Sequence, residues 1–444
     1  MDLKEIIERE IAKWKGGGKR ASMAAGQRYY RGFHDILKRQ RTAIGEGGRP
    51  LVVDNLPNSR IVDNQYAKMV DQKVNYLLGK PLTISAGNGD FEGALRAIFD
   101  KRFHRLLSAV GRDCFNCGIG WIYLHYDAFG HLRMKRFDPL EVIPFWADSD
   151  HTELDMAVRL YRTEVCEGQT DMICEKAEVY LKDCIMRFSV DGSGLVFEGR
   201  DAYMSLEGQE FCWDRIPLVA YKAGAGEAPL IGRVKSLQDG INLMLSDFEN
   251  NMLEDSRNTI LVLKNYDGQN LGEFRRNLAA YGAVKVKTEN GAEGGVEALK
   301  VEVNAANYSE ILRLLKDALV ENAMGFDAKS HKLSGAPNQM NILSMYSDID
   351  LDAGGMETHF QAAMAELLEL ATCHIFNTSG LGEPDEGIEV IFNRDMLMNE
   401  AEIIENAVKS LNILSKETVI SQHPWISDVK RELARIEEEQ VSPK

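Results

Sequence analysis

An α+β fold, predominantly helical, is predicted for this 444-residue chain by three observations. Short β-type runs crowd between residues 120 and 221, two long amphipathic helical patterns bracket a small β-containing insert, and helical periodicity dominates elsewhere. Hydrophobic residues at 44% and charged residues at 27% are ordinary for a globular protein, so disorder is not the default state.

Residues 2–14 and 21–41 read as short helices split by Gly16-Gly17-Gly18, and a loop at 45–50 closes the segment. Over 61–78, Ile61, Tyr66, Met69, Val70, Val74, Leu77 and Leu78 fall at helical spacing before Gly79 and Pro81, which predicts a helix with an ordinary stop. Another helix is expected over 91–117. From Gly120 the texture changes to strands at 121–126, 156–161, 177–181, 185–190 and 216–221, separated by hairpin-like loops such as 127–130 and 191–194.

From Val234 onward, Val234, Leu237, Ile241, Met244, Leu245, Phe248 and Met252 recur every three or four residues. A segment of about 22 residues makes a rod of roughly 33 Å. The insert at 260–303 holds a strand at 259–263, a short helix near 272–281, the run Ala283-Val-Lys-Val-Lys, a Gly-rich turn and a strand at 298–303. A second rod carries Tyr308, Ile311, Leu312, Leu315, Ala318 and Leu319 on one face. The two rods form a stalk with a β tip; alone, their apolar faces would stay wet, and lateral packing in a cyclic ring would cover them. A polar loop over 327–338 leads to a mostly helical run at 340–376, where Gly354-Gly355 makes a bend cheap. A strand at 388–392 and two terminal helices complete the chain, the first opened by the capping-box-like Asn399-x-x-Glu402 and the second by Pro424.

A net charge of -16 argues against gripping nucleic acid over a broad surface, because phosphate affinity depends on Lys and Arg. It suits a surface that lets a polyanion slide past. Basic residues dominate from Lys13 to Arg49, whereas Arg394 is the only Lys or Arg from Asp352 to Glu405, an asymmetry expected of two solvated surfaces or of head-to-side subunit association. No apolar run reaches membrane-spanning length and the N-terminus is not signal-like, so synthesis and action in the cytosol are expected.

Seven irregularly spaced cysteines imply reduced thiols, and the lone Cys114-x-x-Cys117 lacks the second pair a zinc site needs. Gly224-Ala-Gly226 has Pro229 where a dinucleotide turn wants its third glycine, and no phosphate loop occurs. Asp348, Asp350 and Asp352 form the most tempting carboxylate cluster. As a calcium loop it fails at Ala353 and His359, and on a helix residues i and i+2 diverge, leaving Asp348 and Asp352 as the pair that could share a metal. No catalytic constellation emerges, so the chain is expected not to be an enzyme and to need no cofactor or metal.

Several segments resemble the portal family of siphophages and prophages of Gram-positive hosts. They are Tyr29-Tyr-Arg-Gly-Phe-His-Asp-Ile-Leu, Asn58-Ser-Arg-Ile-Val-Asp-Asn-Gln-Tyr, Val74-Asn-Tyr-Leu-Leu-Gly-Lys-Pro, Ile216-Pro-Leu-Val, Leu237-Gln-Asp-Gly-Ile-Asn, Met345-Tyr-Ser-Asp-Ile-Asp-Leu-Asp and Asn399-Glu-Ala-Glu, in the family's order over nearly the whole chain. The resemblance implies a portal fold assembled as a ring of about twelve subunits. Residues 1–230 and 340–397 would be the wing, 231–258 and 306–326 the stem, 259–305 the clip, 327–339 the tunnel loop and 398–444 a short crown. It further implies a channel at one capsid vertex for DNA packaging and ejection, docking the terminase large subunit and then a head-completion adaptor. Capsid and scaffolding proteins would be its neighbours, double-stranded DNA would pass non-specifically, and no membrane would be involved. The virion would be its place, after assembly in the host cytoplasm. Lys329, Ser330, His331, Lys332, Leu333 and Ser334 would face DNA. Leu237, Ile241, Met244, Phe248, Ile311 and Leu315 would pack subunits in the stem, and Arg275 and Arg276 would make clip contacts. The competing readings are a metal-dependent nuclease built on Asp348, Asp350 and Asp352, and another structural component of a phage head.

Overall fold

Packing divides the chain into two units, one made of Met1–Arg31, Tyr66–Arg233 and Val320–Lys444, the other of Gly32–Gln65 and Val234–Leu319. The computed structural model describes residues 3–44, 49–52, 57–167, 170–192, 194–206, 208–255, 260–264, 295–299, 305–327, 339–382, 387–394, 400–421, 423, 425–426 and 429–441.

Helices α1 (Leu3–Gly16) and α2 (Gly18–Tyr30) are split where the glycines predicted, with Gly17 extended between them. Helix α2 stops at Tyr30 rather than continuing to 41. Beyond it, Gly32 turns left-handed and only a 3-10 turn (Asp35–Lys38) and a hairpin of β1 (Thr42–Ile44) with β2 (Pro50–Val52) follow. Helix α3 spans Gln65–Leu78, and β3 is Thr83–Ala86. The single helix expected over 91–117 is two, α4 (Gly89–Ile98) and α5 (Lys101–Cys117). Asp100 interrupts it by accepting the Arg102 and Phe103 N–H groups at 2.7 and 3.1 Å, as an N-cap. Gly118 ends α5 at φ +82, where an added Cβ would meet the Glu227 carbonyl at 2.1 Å, so glycine alone fits.

Strands β4 (Ile119–Tyr126) and β5 (Leu132–Phe137) pair with β13 (Leu218–Lys222) in the order β13-β4-β5. Between β5 and β13 lie β6 (Val142–Trp146), β7 (Leu154–Glu167), β8 (Thr170–Tyr180), β9 (Ile185–Asp191) and β10 (Gly194–Asp201), a five-stranded antiparallel meander, and the small hairpin β11 (Met204–Leu206) with β12 (Gln209–Phe211). Trp121, Tyr123, Phe137 and Tyr180 form one core with Met23 of α2. Ile7 and Ile11 of α1 enter another with Val158, Val179 and Phe188. Full burial of each such side chain is worth about 1.5–3 kcal/mol.

In the same unit, the helix over Gln339–Ser379 runs unbroken for 41 residues through Gly354-Gly355. The glycine pair does not break it, because Ile349, Ala353, Met356, Phe360, Ala363, Leu367 and Ala371 recur on one buried face that holds the helix together. Phe360 meets Tyr221 of β13 edge to face at 5.0 Å. The last strand, Ile388–Ile391, pairs antiparallel with β3 beside α4. Three C-terminal helices occur where two were expected, Glu400–Ser410, Lys416–Ser421 and Val429–Val441; Pro424 lies outside the described residues.

A buried carboxylate ties α2 to the turn after β13. Glu227 receives Lys19 at 2.5 Å, His151 Nδ1 at 2.8 Å and Lys222 at 3.0 Å. Burial pushes its carboxyl up, but the bonds from Lys19, His151 and Lys222 win and hold it at about 2.

The second unit contains α6 (Ile231–Asp255) from Val234 on, the antiparallel pair of β14 (Ile260–Lys264) and β15 (Gly295–Leu299), and α7 (Ala305–Asn322) up to Leu319. Gln238, Asn242, Ser246 and Asn250 stand four apart on α6 and are buried despite being polar. Four helical residues rise about 6 Å, and two extended residues about 6.6 Å. The near match lets one helix face serve an extended strap rung by rung. Asn242 accepts from the Asp63 N–H at 3.0 Å, Ser246 from Ile61 at 2.9 Å and Asn250 from Ser59 at 2.7 Å. Gln238 donates to the Asp63 carbonyl at 2.7 Å. Residues 61–64 are therefore strap, and the helix expected from 61 begins only at Gln65, because these N–H groups go to α6 side chains instead of to helical carbonyls. Outside the ladder, Asp35 pairs with Lys235, Arg39 with Asp247 and Asp63 with Lys316, each at 2.7 Å.

Asn242→Leu should lower unfolding stability by about 1–3 kcal/mol, since it strands the Asp63 N–H and removes one bond from the Gln238 amide; a urea midpoint unchanged from wild type would contradict the ladder. For Glu227, a folded pKa depressed to about 2 means its contribution is complete above the ordinary carboxylate pKa and is lost as pH falls toward 2. The stability gap between wild type and Glu227→Gln should thus shrink between pH 5 and pH 2, as read by denaturant melts across that range.

Candidate functional site

The two rods anticipated from the sequence are α6 and α7, and within their unit each buries only part of its apolar surface. Gly240 brings α7 close, with the Leu315 methyls 3.6–3.7 Å from where a Cβ would sit. Phe248 and Tyr308 pack with ring centroids 5.2 Å apart, and Asn251 donates to the Tyr308 hydroxyl at 2.8 Å. Of the six residues expected at subunit contacts, Ile241 is fully buried inside its own chain and Leu237, Met244, Phe248 and Leu315 are half-buried. Ile311 is exposed, as are Leu314 on the same helix and Leu243, Met252 and Leu253 on α6, all between 42% and 53%. The last four fall outside the six expected contacts, although Met252 belongs to the periodic stripe, because a stripe cannot tell which side of it the partner rod takes.

In the first unit, the long helix over Gln339–Ser379, now α8, opens beside α3 and the segment 323–327 that follows α7. Asp350 accepts from the Tyr76 hydroxyl at 2.8 Å and from the Arg394 guanidinium, which also holds Glu357 at 2.6 Å. Asp352 pairs with Lys73 at 2.7 Å. Asp348 is exposed. The carboxylate cluster is thus divided, two members neutralised by cations of the same chain, which leaves no set of oxygens for a divalent ion. Among the described residues no group of His, Cys, Asp and Glu is placed to hold a metal.

Lys73 was not singled out by the sequence. Its side chain is 1% exposed, and burial pulls its ammonium below the ordinary lysine range while Asp352 opposes this. The available signal was a lysine set among Met69, Val70, Val74 and Leu77 on an apolar helix face.

The turn at Gly224-Ala-Gly226 carries the buried Glu227 carboxylate, which Lys19, His151 and Lys222 already occupy. Cys114 and Cys117 are free and buried, donating toward the Tyr221 and Met23 carbonyls at 3.3 and 3.9 Å, and burial pushes both thiols up. Lys329, Ser330, His331, Lys332, Leu333 and Ser334 lie outside the described residues, as do Arg275, Arg276 and the helix and strand expected over 272–287. Among the described residues no helix is long and apolar enough to cross a membrane.

Comparison with known proteins bears on this arrangement. The portal protein of Bacillus phage SPP1 is 28% identical over 427 residues, covering 93% of this chain and 82% of that protein. The portal protein of Clostridium phage phiCD119 is 23% identical over 459 residues, covering 99% and 96%. The profile of the family described as "Phage portal protein, SPP1 Gp6-like" matches residues 19–442. With a match of that extent, the chain belongs to the phage portal protein family, as the ordered segments from Tyr29 to Asn399 had suggested.

Proposed function

We propose that this chain is the repeating subunit of a ring of about twelve copies at one capsid vertex, the conduit for DNA packaging and ejection, with a structural and not an enzymatic role. Family membership supports the portal role, and the observation that carries the ring is the set of apolar side chains that α6 and α7 leave in water. Rods so exposed call for a lateral partner, and a second copy offers the same surface around a closed axis. The acidic balance of -16 suits passage of a polyanion without arrest.

In this proposal residues 231–258 and 306–326 are the stem, 259–305 the clip and 327–339 the tunnel loop. Residues 1–230 with 340–397 form the wing and 398–444 the crown. Arg275 and Arg276 are assigned to clip contacts with the terminase large subunit and then the head-completion adaptor, and capsid and scaffolding proteins surround the wing. Lys329, His331 and Lys332 touch phosphates transiently, and Ser330, Leu333 and Ser334 complete the loop. Completed rings reside in the virion after assembly in the host cytoplasm.

Mass measurement and negative-stain imaging of the native assembly test the ring, with a closed ring of about twelve chains and a central hole expected. Leu314→Asp should abolish that ring while the far-ultraviolet spectrum stays that of the wild type; a ring persisting in this variant would place the contact elsewhere. Deleting residues 327–334 should leave the ring intact but reduce packaged DNA. Normal genome length and particle yield would remove the loop from the channel.

A further inference from the structure

One face of α3 holds both the segment leaving α7 and the start of α8. Lys73 Nζ donates to the Met324 carbonyl at 3.0 Å and pairs with Asp352 of α8 at 2.7 Å. One residue earlier, Gln72 donates to the Phe326 carbonyl at 2.7 Å and accepts the Phe326 N–H at 2.9 Å, closing a two-bond ring like a rung of β-ladder. One turn later, Tyr76 donates to Asp350 and stacks on Tyr346, which stacks in turn on Phe326 at 4.4 Å. The backbone between is committed to this geometry. Met324 sits at φ +49, and a Cβ on Gly325 would meet the Met69 sulfur at 2.5 Å.

We infer that Lys73 is a positioning residue that couples segment 323–327 to the first turns of α8, so that the two ends flanking 328–338 shift together. A single ammonium bonded to both leaves no way to move one end without breaking a bond or carrying the other along. An apolar side chain would fill the site at less desolvation cost, since a buried ion pair is often no more stabilising than a hydrophobic pair of similar volume. What the lysine adds is the link to two separate elements. The inference rests on the proposal that 327–339 meets DNA only where its consequence for packaging is concerned.

The test is the double variant Lys73→Met with Asp352→Leu, which removes both charges and so avoids leaving either one buried alone. Its urea midpoint and its assembly should match the wild type. Amide hydrogen exchange in 323–327 and 346–352 should become about tenfold faster, and packaged DNA per particle should fall about tenfold. Lys73→Arg, which keeps the charge and the donors, should hold both readouts within about threefold of wild type. Unchanged exchange in the double variant overturns the coupling, whereas wild-type packaging alongside faster exchange overturns only its consequence for packaging. If the unaltered chain supported no packaging at all, the proposed function would fail, while the exchange measurement would still decide the link.

Discussion

Leaving a buried polar group without a partner costs about 1–3 kcal/mol, more if it is charged, and in this chain that penalty falls at a few sites that fix how segments distant in sequence meet. Gln238, Asn242, Ser246 and Asn250 would each lose a bond without the strap at 59–63. Lys73 would be an unpaired buried ammonium without Met324 and Asp352. Glu227 would be an unpaired carboxylate without Lys19, His151 and Lys222. Apolar burial makes the units compact, whereas these polar pairings set register.

The ladder shows the difference in kind. A greasy interface between a strap and a helix tolerates sliding, because dispersion is weakly directional. Three alternate backbone N–H groups, of Ser59, Ile61 and Asp63, bonded to side chains four apart tolerate none, since a shift of one strap residue turns every N–H away. The result is a helix that buries four polar side chains beside Val234 and Ile241 while Leu243, Met252 and Leu253 stay exposed. Its own chain has already satisfied those polar groups, and three large apolar side chains remain exposed beside Arg233, Ser236 and Glu249. The same logic accounts for the acidic residues of α8, where Asp350 and Asp352 serve as anchors for Arg394 and Lys73 and are not left for a metal.

Much of this was legible in the sequence because it rests on local periodicity and stop signals. The glycine break after α1, the two rods, the antiparallel runs from Gly120 and the family resemblance all follow from spacing or from ordered local wording. Strands β5 and β6 and strand β10 escaped, since Leu132–Phe137 carries three basic residues and Gly194–Asp201 an irregular pattern that alternation cannot pick out. The candidate site was less legible. Periodicity named Ile241, which is spent inside the chain, alongside Ile311, which is exposed, because a stripe marks a face without saying what covers it.

By itself the sequence determined the class of fold, the order of its segments, the charge that disfavours a tight grip on DNA and the family. Only the tertiary structure decided that 61–64 is strap and not helix, that the helix continues unbroken through Gly354-Gly355, and that Lys73 joins two elements some 250 to 280 positions away. The physical reason is common to all three. Local propensities differ by about 1 kcal/mol or less per residue, whereas a buried polar partner or a continuous apolar face contributes several, and those partners come from parts of the chain that no local window contains.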